Sequence, residues 1–531
     1  MKLPLTPIRC LYRGVDLYGP KVGIVCGAKR FTYTEYGERC ERLAAGLARE
    51  GVQRGDRVAF LSYNNHQLLE GYYAPPLIRA IAMPLNVRLQ PVELIAILNH
   101  AEARVLVFEN EFAAQVEQLR AACPTIERWV AIDGPTPQAN LTYDELLSGG
   151  RIDRPEILSY DEDEIAELFY TSGSTGTPKG VMLSHRTLYL HTLAVAGTFN
   201  NDDNAVELHT IPLFHANGWG RPQTAVMNGL KQVMVRRFEP SFVLRLIQEE
   251  CATAMSLVPT MANSLINCPD LGKFDVSSLK DIHIGGAAAA PELVAHLEKA
   301  FPGCRIMAGY GLTETSPVAT SARTKGTVQY ADENDRVRHM AMAGWPMPGC
   351  EIRVVDLQMQ DVPRDMEAIG EVVIRGDNVM DGYFKEPAAT QAVMSGAWLH
   401  TGDMAVWDRE NYIHIVDRKK DIIISGGENI SSIEVEKAIS AHPAVLECAV
   451  VAAPDPKWGE VPAAVVSLKN GQQLDAAQLR AFLEGRLAGF KCPRVVEFTS
   501  DPLPKTGTGK ILKRQLREGY WKGKDVRVGQ A

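Results

Sequence analysis

Asp281-Ile282-His283-Ile284-Gly285-Gly286 and Arg305-Ile306-Met307-Ala308-Gly309 are two short apolar runs, each ending in glycine. Runs this brief, bounded by a turn signal, read as buried strands. In open α/β sheets ligands gather at the carboxyl ends of strands, and glycine at such an end lets a flat ligand approach the backbone closely. The preceding chain alternates in the same manner. Tyr36, Cys40, Leu43 and Leu47 fall at helical spacing, with Gly51 as a stop signal. The run Val58-Ala59-Phe60-Leu61 follows, Pro91 opens a second helical stretch ending near His100, and Val105-Leu106-Val107-Phe108 is another strand. This alternation predicts an α/β fold of several layers with mostly parallel sheets.

Beyond about residue 350 the runs become short and turn-rich, as in Glu371-Val372-Val373-Ile374 and Tyr412-Ile413-His414-Ile415-Val416. The charged string Asp417-Arg418-Lys419-Lys420-Asp421 then interrupts. After it come a helix from Ile433 to Ser440, strands from Cys448 to Ala452 and from Ala463 to Leu468, and a helix from Ala476 to Leu487. The expected organisation is a large domain over residues 1–417, a hinge at 418–420 and a small α+β domain over 421–531. The tandem Pro75-Pro76 lies in a helix-like stretch where prolines are unwelcome, and no function follows from it.

Composition narrows the function classes. The 531 residues, 46% of them hydrophobic, exceed one ordinary domain and can bury a large core. With 56 basic against 64 acidic residues the net charge is -8, so no global basic footprint for nucleic acid exists. Ten cysteines lie far apart, without C-x-x-C or zinc-ligand spacing. That pattern suits a reducing cytoplasm. The N-terminus lacks the apolar core of a signal peptide, no run is long enough to span a membrane, and Arg527-Val528-Gly529-Gln530-Ala531 is no known address.

Five segments carry chemistry. The first is Tyr170-Thr171-Ser172-Gly173-Ser174-Thr175-Gly176-Thr177-Pro178-Lys179-Gly180, after the strand-like Ile165 to Phe169. Glycines let a backbone curl round a polyphosphate, hydroxyls and N–H groups bind its oxygens, and lysine offsets its charge; a polar surface loop has the same composition. It is not a Walker A loop, because Pro178 precedes Lys179 and Gly180 follows it. The second, Gly309-Tyr310-Gly311-Leu312-Thr313-Glu314-Thr315-Ser316-Pro317, offers an aromatic that can stack on a purine and a hard carboxylate suited to Mg2+; a turn with a capping glutamate is the plainer reading. The third, Thr401-Gly402-Asp403 with Arg418 downstream, can take both hydroxyls of a ribose or be a common Gly-Asp turn. The fourth, Ile424-Ser425-Gly426-Gly427-Glu428-Asn429-Ile430, puts a double glycine between an apolar strand and a helix, which permits close backbone approach or forms a hairpin-like turn. The fifth, Pro504-Lys505-Thr506-Gly507-Thr508-Gly509-Lys510-Ile511, puts a lysine after a glycine-rich loop, where it can meet developing negative charge or belong to a basic tail.

In this order and spacing the segments resemble the adenylate-forming superfamily, which contains acyl-CoA synthetases, nonribosomal peptide synthetase adenylation domains and firefly-type luciferases. The resemblance runs from about residue 25 to about residue 520. It implies that Thr171 to Lys179 holds the β- and γ-phosphates of ATP, with Ser174 where many relatives have threonine. It implies that Tyr310 stacks on adenine lined by Gly285, Gly286 and Ala287, and that Thr313 contacts the α-phosphate. Glu314 and Thr171 would serve Mg2+, Asp403 and Arg418 the ribose, and Lys510 the carboxylate and α-phosphate during adenylation. Lys420 matches the family's hinge position.

His215, in Pro212-Leu213-Phe214-His215-Ala216-Asn217-Gly218-Trp219, resembles the gate between acyl site and thiol tunnel. Gly426 and Gly427 would line that tunnel, and Trp458, Phe490 and Arg494 would contact coenzyme A; Cys492 departs from the arginine of some relatives. The implied activity is an AMP-forming acyl-CoA synthetase with ATP and CoA as co-substrates. His215, Trp219, Gly285 and Gly309 would line the pocket for a medium- or long-chain fatty acid, with aryl acids, or a carrier-protein acceptor, as alternatives. A nucleotide-binding sensor without catalysis is the alternative of another class, and a homodimer is left open.

Overall fold

The computed structural model describes residues 2–171, 178–199, 201–425, 428–505 and 511–522. The chain divides into two compact units. One comprises Met1–Ile352, Ile374–Leu399 and Glu410–Tyr412; the other comprises Arg353–Val373, His400–Arg409 and Ile413–Ala531.

Two sheets dominate the first unit. In a nine-stranded sheet, Arg305–Gly311, Asp281–Ile284, Ala254–Leu257, Val206–His209, Lys231–Met234 and Val22–Cys26 lie side by side and parallel. Antiparallel strands flank them: Val318–Ser321 and Trp345–Pro346 at one edge, Lys29–Thr32 at the other. The eight-stranded sheet runs parallel from Ile165–Thr171 through Ile81–Pro84, Arg57–Leu61, Ala103–Phe108 and Arg128–Ala131 to Leu141–Thr142. Its other edge is antiparallel, with Lys179–Ser184 and Gly382–Tyr383. The interior strands bury nearly every residue on both faces, as parallel strands covered by helices must. The mixed α/β class with mostly parallel sheets is therefore as the alternation predicts.

The early helix covers Tyr33–Arg49 and buries Tyr36, Cys40, Leu43 and Leu47. Its start is fixed by a capping box: the Thr32 hydroxyl accepts from the Glu35 N–H at 3.2 Å, and the Glu35 carboxylate accepts from the Thr32 N–H at 2.7 Å. The stretch around Pro75 is not one helix. His66–Gly71 ends, and a new short helix, Ala74–Leu77, carries both prolines in its first turn, where a missing N–H forfeits no helical bond.

In the second unit, the strands Gly459–Leu468 and Val445–Asp455 pair antiparallel, Val495–Thr499 lies parallel to the former, and Ile423–Ser425 and Glu428–Ile430 complete the sheet. Helices Ser432–Ser440 and Ala476–Leu483 pack their apolar sides on it. The second of these ends earlier than Leu487, because Glu484 turns extended and Gly485 takes a φ of +72°.

Replacing Thr32 with alanine removes the cap and is expected to cost about 1 kcal/mol. Scanning calorimetry of the variant is expected to show a lower melting temperature.

Candidate active site

The segment Tyr170 to Gly180 is framed by a hairpin. Thr171 ends one strand and stands opposite Lys179, which begins the next. Ser172, Gly173, Ser174, Thr175 and Gly176 lie outside the described residues. The strand Gly382–Tyr383 pairs with Lys179–Ser184, setting Tyr383 against Val181. As a result the Lys179 ammonium sits over the Tyr383 ring, 4.7 Å from its centre. The Tyr383 hydroxyl donates to Glu314 Oε1 at 2.8 Å. Burial, and then the Glu314 charge, push the Tyr383 hydroxyl well above its ordinary pKa, so it stays protonated and keeps donating. Lys179 and Glu314, from two segments 135 positions apart in number (314 minus 179), thus meet through one tyrosine that the sequence reading did not single out.

Glu314 lies on a single 3-10 turn, Thr313–Thr315, directly after the strand that carries Gly309, Tyr310 and Gly311. Its backbone carbonyl accepts from the Met380 N–H at 2.9 Å. Asn378 anchors the same turn: its amide donates to Thr315 O, and its carbonyl accepts from the Ser316 hydroxyl, both at 2.9 Å. Gly311 is required sterically, since a Cβ there would stand 1.8 Å from Pro317 O. Tyr310, Thr313 and Glu314 are all half-buried, Gly285 is buried, and Gly286 and Ala287 are exposed.

The His215 segment is held from below. Asn64, buried, donates to the carbonyls of His209 and Ile211 at 2.8 and 2.9 Å and accepts from the Leu213 N–H at 2.7 Å. His215 itself is exposed. Beyond it Ala216, Asn217, Gly218, Trp219 and Gly220 all have φ between 42° and 71°. So long a left-handed run is strained for the non-glycine residues, and strain of this kind gathers at functional sites. Asn217 secures it: its side-chain oxygen accepts from the Gly220 N–H at 2.6 Å, and its amide reaches Glu167 at 3.3 Å. The run turns the Trp219 indole onto Gly285, where a Cβ would stand 2.9 Å from the ring.

Glu167 is a buried carboxyl on the strand that leads into the phosphate segment. Gln223 donates to it at 2.8 Å. Burial raises its pKa to about 8, against the smaller lowering by Asn217 and Gln223. Asn64, Glu167 and Tyr383 are the site-forming residues that sequence reasoning missed. A single acid within the apolar run Ile165 to Phe169 was the available signal for Glu167.

The remaining candidate residues lie in the second unit. Asp403 and Arg418 stand directly opposite on antiparallel strands and form an ion pair at 2.8 Å. The Asp403 carboxylate is buried while Arg418 is about half-exposed. Gly402 before them takes a φ of 68° and donates its N–H to Glu371 at 3.2 Å. Lys420 follows on a tight turn in which the Asp421 N–H donates to Arg418 O at 2.8 Å. The Lys420 carbonyl accepts from Arg517. The Arg494 guanidinium lies over the Trp458 ring at 5.2 Å. Phe490 is on an exposed 3-10 turn, Gly489–Lys491. Gly426, Gly427 and Lys510 lie outside the described residues.

The model of the family described as AMP-binding enzyme matches residues 13–384, and that of its C-terminal domain matches residues 434–510. A long-chain-fatty-acid–CoA ligase of Thermus thermophilus is 38% identical, over 92% of this chain and 90% of its own. A 4-hydroxybutyrate–CoA ligase of Metallosphaera sedula is 34% identical, over 97% and 94%. Among solved structures, ATP-bound MatB from Rhodopseudomonas palustris superposes with a TM-score of 0.84 at 28% identity, covering 98% of this chain and 99% of that one.

Because Glu167 is protonated when folded at pH values where an unfolded glutamate has ionised, it withdraws stability as pH rises from its ordinary 4.5 toward 8. The Glu167→Gln variant lacks that term. Its melting temperature relative to the parent is expected to improve progressively between pH 5 and pH 8, measured by thermal denaturation of both proteins across that range.

Proposed function

Since the chain belongs to the AMP-binding enzyme family and is an AMP-forming acid–thiol ligase using ATP and CoA, we propose that it activates a medium- or long-chain acyl acid, with aryl acids as the nearest alternative, in two steps at one alternating site. A carboxylate is a poor electrophile because its charge repels nucleophiles. Attack of its oxygen on the α-phosphorus of ATP forms a mixed anhydride and releases pyrophosphate. The CoA thiolate then attacks the activated carbonyl, forming the thioester and releasing AMP. Catalysis of the first step is positioning and charge stabilisation.

What carries this reading is the convergence of Lys179, Tyr383 and Glu314 at the framed phosphate segment. Lys179 would offset charge on the β- and γ-phosphates, and Tyr310 would stack on the adenine beside Gly285, Gly286 and Ala287. Thr313 would take the α-phosphate, and the Asp403–Arg418 pair would take the ribose, for which a buried carboxylate is a suitable acceptor. Among the described residues no three His, Cys, Asp or Glu gather to hold a metal alone. Mg2+ does not need such a cage, since it takes one or two protein oxygens together with substrate phosphates. Glu314, oriented by Tyr383, and the Thr171 hydroxyl would be those oxygens; the ion would supply charge neutralisation of the phosphates.

The carboxyl end of the acid would lie beside His215 and Gly309, with the tail passing Trp219 and Gly285. The adenylating lysine, Lys510, and the CoA-lining Gly426 and Gly427 belong to the second unit, so rotation about Lys420 would exchange them between steps. The stacked Trp458 and Arg494, with Phe490, would meet the CoA nucleotide. Ten free cysteines support a reducing compartment such as the cytoplasm. No helix among the described residues is long and apolar enough to cross a membrane.

Replacing Lys510 with alanine is expected to lower pyrophosphate formation from acid and ATP by about 10²- to 10³-fold. Thioester formation from supplied acyl-adenylate and CoA should stay within a few-fold of the parent. Equal loss of both half-reactions would contradict the role given to Lys510.

A further inference from the structure

The face of the nine-stranded sheet beneath Trp219 is not the apolar wall that an alkyl tail requires. His283 stands opposite Ser256 on one neighbouring strand and opposite Met307 on the other. His283, Ser256 and Arg221 are 7%, 4% and 4% exposed, each more than nine-tenths buried. Nδ1 and Nε2 of His283, Oγ of Ser256, and Nε and Nη1 of Arg221 have no hydrogen-bond partner among the described residues. Polar atoms buried in this way without a partner among the described residues are costly.

These groups sit together. Phe199 lies against the His283 ring at 4.2 Å and under the Arg221 guanidinium at 5.2 Å. Arg221 Nη2 is taken by Glu207, so the pair is neutral overall and its other nitrogens remain donors. His283 is a neutral imidazole, because burial and then the Arg221 and Arg305 charges push its pKa well down; it offers one donor and one acceptor. Ile284 is level with Ala308 in the parallel ladder, so Gly285 is level with Gly309. His283 shares the face of Gly285 two residues back, about 6.6 Å along the strand. The Trp219 indole caps that face at Gly285, at the end of the left-handed run.

We infer that the acid carries a neutral hydrogen-bonding group, a hydroxyl or carbonyl, at the far end of a short tail, and that His283, Ser256 and Arg221 receive it. This rests on the acid–thiol ligase part of the proposed function; among its medium-chain and aryl acids it singles out those that carry such a group, and it sets long-chain acids aside. A hydroxyl both donates and accepts, which matches a neutral imidazole beside guanidinium N–H groups. An anionic tail fits less well, because Glu207 already neutralises Arg221. A long alkyl tail would have to bury methylenes against these five polar atoms. The reach from the Gly285–Gly309 level suits a chain of about six carbons or a para-substituted phenyl ring.

The test is CoA-dependent AMP release with paired acids: hexanoate against 6-hydroxyhexanoate, cinnamate against 4-hydroxycinnamate, and dodecanoate as the long alkyl tail. A site built to hydrogen-bond a hydroxyl strongly rejects the analogue that lacks it, so kcat/KM should favour the hydroxylated member of at least one pair by about 10²-fold or more. His283→Val should bring that ratio toward one, by lowering the hydroxylated acid and raising the plain one, with KM for ATP unchanged. Should His283→Val fail to fold, Ser256→Ala carries the same comparison. Preference for the plain acid in both pairs, dodecanoate as the best substrate, or a ratio unmoved by substitution would overturn the inference while leaving the ligase reading intact. Failure of that reading looks different: no acid in the set, plain or hydroxylated, releases AMP, and both then fall together.

Discussion

The hydrogen bond from Tyr383 to Glu314 is the contact on which the candidate site depends. Without it the strand bearing Lys179 and the turn bearing Glu314 would meet as bare opposite charges at the mouth of a polar segment, free to pair with each other. The tyrosine separates them. Its ring face receives the ammonium and its hydroxyl donates to the carboxylate, so both charges are held on one side chain. Exposed ion pairs are worth little, whereas here a lysine and a carboxylate are fixed on one buried aromatic. The short strand Gly382–Tyr383 exists in the fold to place that ring, pairing with the strand after the phosphate segment.

A second constraint acts one layer deeper. Glu167 is buried on the strand Ile165–Thr171 and accepts from Asn217, within the left-handed run, and from Gln223, just beyond it. Burying a carboxyl is costly unless it is protonated and hydrogen-bonded. Here protonation and the bonds from Asn217 and Gln223 offset that cost, and the Asn217 bond helps hold the strained backbone that aims Trp219 at Gly285. The same run delivers Arg221 into the polar layer with His283 and Ser256. The strand Ile165–Thr171 and the left-handed run that carries Trp219 are thus joined through one acid.

Much of this was legible in the residues. The alternation of helical and apolar runs predicted the parallel sheets, because interior strands must be apolar on both faces. Asp403 and Arg418 proved to be opposed neighbours because fifteen residues make a hairpin of two strands and a turn. What remained hidden was long-range. Tyr383 is an unremarkable aromatic until strand pairing brings it to Lys179. Asn64 acts through three bonds to a segment that begins at His209, and nothing local announces that. Helix Ala476–Leu483 stops short of Leu487 because a turn conformation at Glu484 and Gly485 overrides a continuing helical pattern. His283 reads as one more position in an apolar run until the register sets it beside Ser256, with the Phe199 ring between it and Arg221.

The central claim is that ATP-driven adenylation is coupled to a thiol acceptor on CoA. Its most direct measurement is AMP release from ATP by the purified full-length protein with a mixture of plain and hydroxylated acids, with and without CoA. The account predicts slow release without CoA and a large increase when CoA is added, with one thioester formed per AMP. AMP release that is unchanged by CoA, or that proceeds without matching thioester, would contradict it.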